Sequence, residues 1–425
     1  MSLESVAPPC VKILYISQYF PPEMGAPSAR ASELARHWAA AGHEVSVLTG
    51  FPNHPTGVVP DEWRPRLRRL AYKENVCGVN VYRTWLWPLP NRKSHERIRN
   101  YSSFCISAAL CGLMLPRPDI IIATSPQLLV GLSGWWIAFA REIPFVFEVR
   151  DLWPESLVAV GMDNGDSVLH HTLSGIAGFL YDKAKHIVVV SPAFKERLVE
   201  DWRIPPKKIS TVVNGVESDL FIPQSTQQDE ATRKQLGLEG KFVVCYIGTM
   251  GMAHGLETLL AAAEQLHGSS VAFLLVGEGA EKERVKSLAQ SRGITNVHFL
   301  DQQPREKIPA LISASNACLV LLKKTDVFKT VIPTKMLEFM SCARPVILGV
   351  EGQAKQIIEE AQSGLAIPPE SPSALANAIT RLENDDELCR ALGEKGRSHI
   401  LERYSRASTA EKYVHLLSRI LKEKS

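Results

Sequence analysis

Residues 333–379, PTKMLEFMSCARPVILGVEGQAKQIIEEAQSGLAIPPESPSALANAI, contain the order of elements that decides the fold. A helical segment that carries Lys335 and Glu338 is followed by an apolar strand at 346–348. A Gly-bearing loop, a second helix, a short strand and a third helix that opens at Ser371 come next. Helices and strands that alternate in this way predict an α/β domain with a parallel sheet.

The same alternation runs along almost the whole chain. In the first half, strands are predicted at 11–17, 44–48, 79–84, 120–123, 145–148, 186–190 and 209–213. In the second half, they are predicted at 242–247, 271–276, 297–300, 317–322, 346–348 and 365–367. Two such series predict two Rossmann-like, doubly wound domains, with ligands bound in a cleft at the carboxyl ends of the strands.

Composition favours a globular protein in a reducing compartment. The chain has 425 residues, of which 45% are hydrophobic, and its net charge of +3 is too small to indicate nucleic acid as a partner. The eight cysteines lack the spacing of metal ligands. The opening MSLESVAPPC resembles no signal peptide, and no apolar run reaches the ~20 residues that span a bilayer. We therefore expect a cytoplasmic protein.

Positive charge is concentrated in one region. Residues 61–100 carry ten Lys or Arg against four Asp or Glu. The segment that follows, YSSFCISAALCGLML at 101–115, is mostly apolar and too short to span a bilayer. Together they predict peripheral contact with an anionic membrane surface. The alternative is that 101–115 is a core helix of the first sheet, and both hold if the basic flank points outward.

Two short segments carry candidate functional side chains. Glu338 lies in the first turns of a helix, where an ionised carboxylate suits ligand hydroxyls because each oxygen accepts strong hydrogen bonds. Its alternative role is that of a solvated helix residue. In FEVRDLWPESLVAVG at 147–161, Arg150 and Asp151 follow a strand at its carboxyl edge. Arg150 suits a phosphate or carboxylate, unless Arg150 and Asp151 are a structural ion pair.

The ordered motifs resemble the retaining, nucleotide-sugar-dependent glycosyltransferases of family 4, which have the GT-B fold. The resemblance rests on residues 333–379 and on four further segments. These are PPEMGAPSARASELARHWAAAGHEVSVLT at 21–49, YIGTMGMAHGLETLLAA at 246–262, LLVGEGAEKERV at 274–285 and FLDQQPREKIPALI at 299–312. It implies a UDP-sugar as donor substrate and no separate cofactor.

The resemblance also implies a role for each motif residue. Glu338 would hold the ribose and Lys335 a phosphate, while Asp151 and Arg150 would face the reacting sugar or the acceptor. Further donor contacts are implied for Gly25, Gly248, Thr249, Gly251, His254, Gly277, Glu278, Gly279, Pro304 and Thr334. Gly25 would lie beside the sugar and diphosphate, although one Gly after two prolines also suits a plain turn.

The sequence departs from the family pattern at three places. The second glycine of the first loop is Ala26, which reduces the backbone freedom of that loop. The loop at 248–255 lacks the Arg and Lys that are usual in the family, so we expect Lys335 to interact with the negative charge of the diphosphate. The family has two glutamates with seven residues between them, and the first is replaced by Thr330 in KKTDVFKTVIPTKMLEFM.

Four segments resemble one subset of the family, which adds amino sugars such as N-acetyl-L-fucosamine. They are IPTKMLEFM, FPNHPTG at 51–57, ATSPQLLVGLSG at 123–134 and FEVRDLWPESLVAVG. The subset implies a bacterial O-antigen, capsule or exopolysaccharide pathway. The implied acceptor is a sugar on a polyprenyl diphosphate at the inner face of the cytoplasmic membrane.

The order of the predicted strands gives the domain limits, and the resemblance implies the packing of the last helix. We expect an acceptor-side domain at 1–213, a linker at 214–240, a nucleotide-sugar domain at 241–406, and a C-terminal helix at 407–425 that packs back on the first domain. The absence of Asp-x-Asp predicts activity without a metal, and the P-loop and GxSxG motifs are also absent. The alternatives are a UDP-sugar 2-epimerase and a non-catalytic binding subunit.

Overall fold

The computed structural model describes residues 10–54, 57–69, 71–89, 94–159 and 166–423. Parts of the segments discussed above, at 1–9, 55–56, 70, 90–93, 160–165 and 424–425, lie outside the described residues. The chain forms two compact units. Unit 1 comprises Met1–Val158, Asp163–Val213 and Ala407–Ser425, whereas unit 2 comprises Asn214–Arg406 and the short segment Ala159–Met162.

Unit 1 is built on an eight-stranded sheet. Its strands are β1 (Lys12–Ile16), β2 (Glu44–Gly50), β3 (Ala71–Val76), β4 (Val79–Thr84), β5 (Ile120–Thr124), β6 (Phe145–Val149), β7 (His186–Val189) and β8 (Ile209–Thr211). The strand order is β3-β4-β2-β1-β5-β6-β7-β8, and all neighbours are parallel except β3 and β4. Sequence patterns missed β3, because its charged residues resemble a solvated surface segment; charged side chains are common on edge strands.

Among the described residues of unit 1, six α-helices lie between the strands. They are α1 (Ala26–Ala40), α2 (Ser94–Met114), α3 (Leu129–Arg141), α4 (Glu155–Ala159), α5 (Val168–Lys183) and α6 (Pro192–Glu200). Because β1 has β2 on one side and β5 on the other, the strand order reverses at β1, and ligands of doubly wound sheets bind at such a point.

Unit 2 is built on a six-stranded, fully parallel sheet of order β11-β10-β9-β12-β13-β14. Its strands are β9 (Phe242–Ile247), β10 (Val271–Val276), β11 (Val297–Leu300), β12 (Ala317–Leu321), β13 (Val346–Gly349) and β14 (Gly364–Ala366). Its helices are α7 (Thr226–Gln235), α8 (Glu257–Gln265), α9 (Lys282–Ser291), α10 (Ile308–Ser313), α11 (Thr334–Ser341), α12 (Gln353–Ala361), α13 (Pro372–Glu383) and α14 (Asp386–Arg403). Residues 214–240, predicted as a linker, belong to this unit and include α7.

Both faces of the unit 2 sheet are covered. Alternate residues of β9 belong to two different apolar clusters, with Val243 and Cys245 in one and Val244 and Tyr246 in the other. Successive strand side chains point to opposite faces, so each face of the sheet has its own core. The predicted fold class, two doubly wound α/β domains, is confirmed.

The last helix, α15 (Arg406–Lys422), packs on unit 1. Tyr413 and Leu417 share a buried cluster with Tyr15 and Trp38. The indole Nε1 of Trp38 donates a 3.0 Å hydrogen bond to the Ala410 carbonyl. Within the described ranges, no helix combines the length and the apolarity needed to cross a membrane.

Candidate functional site

Lys335 is the central charged group at the carboxyl edge of the unit 2 sheet. It lies in the first turn of α11, and its Nζ is 4.1 Å from the ring centroid of Tyr246. A Cβ placed on Gly248, whose φ is +136°, would be 3.2 Å from this nitrogen. The Nζ is shielded from solvent and has no hydrogen-bond partner among the described residues. Lys335 therefore presents an unpaired ammonium to the loop after β9.

Burial lowers the pKa of Lys335 to about 7, and the nearby Glu338 opposes this shift. A shielded ammonium without a partner is unstable relative to its neutral form. An anionic ligand would restore the charge by supplying the missing partner. The site is thus suited to a phosphate group.

The glycines of the two adjoining loops mainly permit close packing. A Cβ on Gly277 would lie 2.1 Å from the Gly248 carbonyl oxygen, and one on Gly279 would lie 2.3 Å from that of Met250. The amides of Gly248 and Met250 donate to the carbonyls of Val276 and Glu278, at 2.9 and 2.8 Å. Two of the four amides at 248–251 are therefore engaged within unit 2 and are not available to a pyrophosphate.

Thr249 and His254 complete this loop. The Tyr246 hydroxyl donates a 2.6 Å hydrogen bond to the Thr249 carbonyl, which fixes the turn. His254 Nδ1 is 3.3 Å from the Leu321 carbonyl oxygen. Burial, with a further contribution from Lys335, lowers the pKa of His254 to about 3. His254 is therefore neutral at physiological pH and does not replace the cations that the family has in this loop.

Glu338 is held by an arginine that the sequence patterns did not reveal. Its Oε1 lies 3.0 Å from Nη1 of Arg305, which directly follows Pro304 in the loop after β11. The guanidinium carbon of Arg305 also lies 4.9 Å from the centroid of the Phe221 ring. Glu338 is thus a positioned carboxylate and not a solvated helix residue. The only sequence signal for Arg305 was its place beside Pro304, in a segment implied to border the nucleotide.

Two other positions have contacts that are internal to unit 2. Glu278 forms a 2.6 Å ion pair with Lys282, which also contacts Asp301 at 2.5 Å. The Thr330 hydroxyl, at the place of the first family glutamate, donates to the Val327 carbonyl at 2.6 Å. Thr334 is the first residue of α11.

Unit 1 has its own polar site after β6. The Ser125 hydroxyl oxygen accepts hydrogen bonds from the amides of Arg150 and Asp151, at 2.7 and 3.4 Å. Arg150 Nε and Nη1 are shielded and have no hydrogen-bond partner among the described residues. Burial raises the pKa of Asp151 to about 6, against the effect of Arg150. Arg150 and Asp151 form no ion pair with each other in the described structure, so both side chains remain available to a ligand.

A buried ion pair supports this site, and it was also missed from the sequence. Arg30 Nη2 lies 2.8 Å from Glu148 Oε1. Glu148 Oε2 accepts hydrogen bonds from Tyr15 and Thr124, at 2.8 and 2.6 Å. Burial alone would raise the pKa of Glu148, but Arg30, the charge of Arg150 and the hydrogen bond from Thr124 lower it to about 2. Its saturated bonding indicates a structural role that fixes the end of β6.

Gly25 precedes α1 in unit 1 and has a φ of +129°. Its carbonyl accepts the Ala29 amide at 3.0 Å, which begins the helix. Pro27 has no amide hydrogen, so this helix start offers fewer donors than a glycine pair would. No group of side chains suited to a metal ion occurs among the described residues.

Similarity in structure identifies the class of fold. The chain resembles HepE of Anabaena in complex with UDP, with a TM-score of 0.70, 19% identity and coverage of 96% of this chain and 100% of that one. It also resembles sucrose-phosphate synthase of Thermosynechococcus elongatus, with a TM-score of 0.73, 23% identity and coverage of 97% and 99%. The fold is the GT-B fold of glycosyltransferases, as predicted.

Similarity in sequence gives the family of each domain. Residues 25–215 match the glycosyl transferase 4-like domain, and residues 228–399 match the glycosyl transferases group 1. The chain is therefore a glycosyltransferase composed of these two domains. It is 25% identical over 382 residues to a putative colanic acid biosynthesis glycosyl transferase, WcaI, of Escherichia coli K12, covering 87% of this chain and 91% of that protein. It is 27% identical over 316 residues to a probable glycosyltransferase, WbjE, of Pseudomonas aeruginosa, covering 72% and 76%.

Proposed function

We propose that this glycosyltransferase moves a sugar from a UDP-sugar to a lipid-linked or oligosaccharide acceptor with retention of configuration. The observation that carries the proposal is the unpaired Nζ of Lys335 beside Gly248. A diphosphate placed there would satisfy the ammonium, whose positive charge would offset part of the diphosphate charge without a metal. The UDP complex of HepE, a structural neighbour, supports uridine as the nucleoside.

The residues of unit 2 are assigned to the donor. Lys335 stabilises the charge that develops on the departing diphosphate, and Glu338, oriented by Arg305, accepts hydrogen bonds from the ribose. As UDP leaves, the anomeric carbon gains oxocarbenium character. The acceptor hydroxyl attacks from the same face, and its proton passes to the leaving phosphate. The protein then acts mainly by positioning and by electrostatic stabilisation.

Asp151 and Arg150 of unit 1 are assigned to the sugar or the acceptor. Asp151 accepts a hydrogen bond from a sugar hydroxyl or stabilises positive charge at the anomeric carbon. Arg150 binds a phosphate through its unpartnered Nε and Nη1. Resemblance to the amino-sugar subset supports an N-acetylated amino sugar as the transferred group. A relative named for colanic acid biosynthesis supports a surface polysaccharide, with a polyprenyl-diphosphate-linked sugar as acceptor.

The proposal includes a peripheral position on the cytoplasmic face of an anionic membrane. On α2, Ile98, Ile106, Leu110 and Met114 are exposed, and their spacing of four or eight residues places them on one side of the helix. Phe104 and Cys111 of the same helix are buried, so one face of the apolar segment belongs to the core of unit 1, and we propose that its exposed face contacts the membrane. Such a stripe with basic flanks suits an anionic lipid surface.

A panel of nucleotide sugars tests the assignment. The pure protein is incubated with each, and free UDP and free sugar are followed by NMR, which also reports the anomeric configuration of the first product. We expect slow hydrolysis of one UDP-sugar with retention. Release of a 2-epimerised sugar would favour an epimerase. Tight UDP binding with neither hydrolysis nor transfer to added acceptors would favour a non-catalytic subunit.

A further inference from the structure

Glu23 is a buried carboxylate of unit 1, and only one of its two oxygens is hydrogen-bonded to described residues. It lies in the loop between β1 and α1, and 6% of its surface is exposed. Its Oε1 accepts hydrogen bonds from the amides of Asn53 and His54, both at 2.9 Å. Its Oε2 is shielded and has no hydrogen-bond partner among the described residues. Buried carboxylate oxygens are rarely left without a donor, so this oxygen requires an explanation.

Within the described part of the chain, the side chains around Glu23 do not supply the missing donor. Arg83, the nearest cation, uses its guanidinium on Glu74, at 2.6 Å, and on the carbonyls of Gly50 and Pro21. Burial raises the pKa of Glu23 to about 7, while the amides of Asn53 and His54, the charge of Arg83 and, least, the backbone of Phe20 oppose the shift. A carboxylate that served only to fix the loop would need one oxygen, and that oxygen is already satisfied.

The position of Glu23 is one where ligands bind in doubly wound folds. It follows β1, at which the strand order of the sheet reverses. A chain of buried amides crosses the same edge: Gln127 donates to Gln18 at 2.9 Å, and Gln18 donates to Asn100 at 2.6 Å. Asn100 in turn donates to Asn53, at 3.4 Å. The surroundings of Glu23 are therefore polar and largely hydrogen-bonded, and Oε2 is the carboxylate oxygen left without a donor among the described residues.

We propose that Glu23 is a specificity residue whose Oε2 accepts a hydrogen bond from a sugar hydroxyl of a substrate. The inference rests on the proposed function, which supplies two sugars, one on the donor and one on the acceptor. A hydroxyl is the complementary group, because it donates one hydrogen bond and carries no charge to bury. Arg150 and Asp151 are not needed for this contact, so Glu23 adds a second point of sugar recognition in unit 1.

Glu23→Gln is the informative substitution. The amide oxygen can still accept hydrogen bonds from both backbone N–H groups. Oε2 is replaced by an NH2 group, which cannot accept a hydrogen bond from a hydroxyl. Glu33→Gln on α1 is the matched control, because Glu33 is equally buried at 6% but already has an interaction partner. Both variants should keep the thermal unfolding midpoint and the UDP affinity of the wild type.

Three measurements separate the sources of the hydroxyl. In the first, the affinity of the UDP-sugar relative to UDP is compared between wild type and variants. In the second, KM and kcat are measured with farnesyl-diphosphate-linked N-acetylglucosamine as acceptor probe. In the third, binding of methyl glycosides is followed by saturation-transfer NMR, which requires no turnover.

We expect Glu23→Gln to lose about 10- to 100-fold in one of these readouts, as for a hydrogen bond to a charged group. A loss in the first assigns the donor sugar, and a loss in the second or third assigns the acceptor. The inference would be overturned if Glu23→Gln behaved like the wild type in all three measurements, or if Glu33→Gln showed an equal loss. It would also be overturned if no form of the protein bound a glycoside and the donor affinity of Glu23→Gln were unchanged. Failure of the wild type to hydrolyse any UDP-sugar would instead contradict the proposed function, and the NMR measurement would still test Glu23.

Discussion

Arg305 Nη1 lies 3.0 Å from Glu338 Oε1, so the carboxylate assigned to the ribose, on α11, is held in place by a guanidinium from the loop after β11. Both side chains are mostly buried, with exposures of 28% and 14%, so the pair is protected from solvent screening. This arrangement orients the carboxylate before the nucleotide binds, which reduces the entropy cost of binding.

Glu338→Ala should weaken UDP binding by about 1.5–3 kcal/mol, the range for a hydrogen bond to a charged group. Arg305→Met should weaken it less, and the double variant should be no worse than Glu338→Ala, because Arg305 acts through Glu338. Calorimetric titration of UDP against the four forms gives the coupling. Arg403→Met, which breaks an exposed ion pair with Glu360, is the control. Fully additive losses would contradict a positioning role for Arg305.

UDP binding should take up a proton above neutral pH. The pKa of Lys335 is lowered to about 7, so at pH 8 the free protein holds this side chain mostly neutral. The bound diphosphate favours the ammonium, so binding must protonate it, and UDP affinity should fall as the pH rises above 7. The binding enthalpy at pH 8 should depend on the ionisation enthalpy of the buffer, and Lys335→Met should abolish that dependence. If the enthalpy of UDP binding to the wild type did not depend on the buffer, the phosphate would not bind at Lys335.

The strands of both sheets could be predicted from the sequence because buried parallel strands are continuous apolar runs. Phe242–Ile247, Val271–Val276 and Val297–Leu300 were predicted at their observed limits. Charged β3 has no such signal. The glycine motifs were located correctly, but the structure gives Gly277 and Gly279 a role in backbone contact that the sequence could not reveal.

Pairs that are distant in sequence could not be predicted in the same way. Arg30 and Glu148 lie 118 residues apart, and Arg305 and Glu338 lie 33 apart. Each residue alone resembles a surface charge, and only the fold brings the partners together. The unsatisfied oxygen of Glu23 is likewise a property of its surroundings, since the motif PPEMG gives no indication that the carboxylate is buried.

Asp151→Asn should fold normally and lose about 10²–10³ in turnover, the usual effect of removing an electrostatic catalytic group. The wild-type rate should also decline as the pH falls through about 6, because protonation removes the charge of Asp151. The variant should lack that part of the profile, since Asn does not titrate. Rates between pH 5 and 8 at saturating donor decide the question. Wild-type turnover in the variant would leave Asp151 with a structural role at most.

Turnover should not require a divalent metal. Lys335 supplies a positive charge for the diphosphate, and the described residues contain no side-chain group suited to a metal ion. The assay uses metal-free substrates with excess chelator, and the rate should equal that without chelator. If chelator abolished the reaction and magnesium or manganese restored it, the assignment of Lys335 as the neutralising group would be wrong.

Membrane binding should depend on the exposed stripe of α2 as well as on basic residues. Ile106 and Leu110 are 62% and 61% exposed, so replacing both with Gln should release the protein from anionic vesicles without affecting the core. Among the basic residues, Arg64 and Arg69 are exposed, whereas Arg66 lies 4.6 Å from the ring centroid of Trp63 and contributes to packing. Arg64→Gln with Arg69→Gln should therefore weaken binding by about 1 kcal/mol per charge, and salt should reduce this effect.

Vesicle flotation at low and high salt measures both contributions. Val168→Gln on α5 is the control for the apolar variant, because Val168 is 85% exposed but lies outside the stripe. UDP affinity should be unchanged in every variant, since the donor residues belong to unit 2. The apolar variant should lose binding at both salt concentrations, whereas the charge variant should differ from the wild type only at low salt. If the wild type does not float with anionic lipid even at low salt, the stripe does not contact a membrane and the proposed peripheral location is wrong.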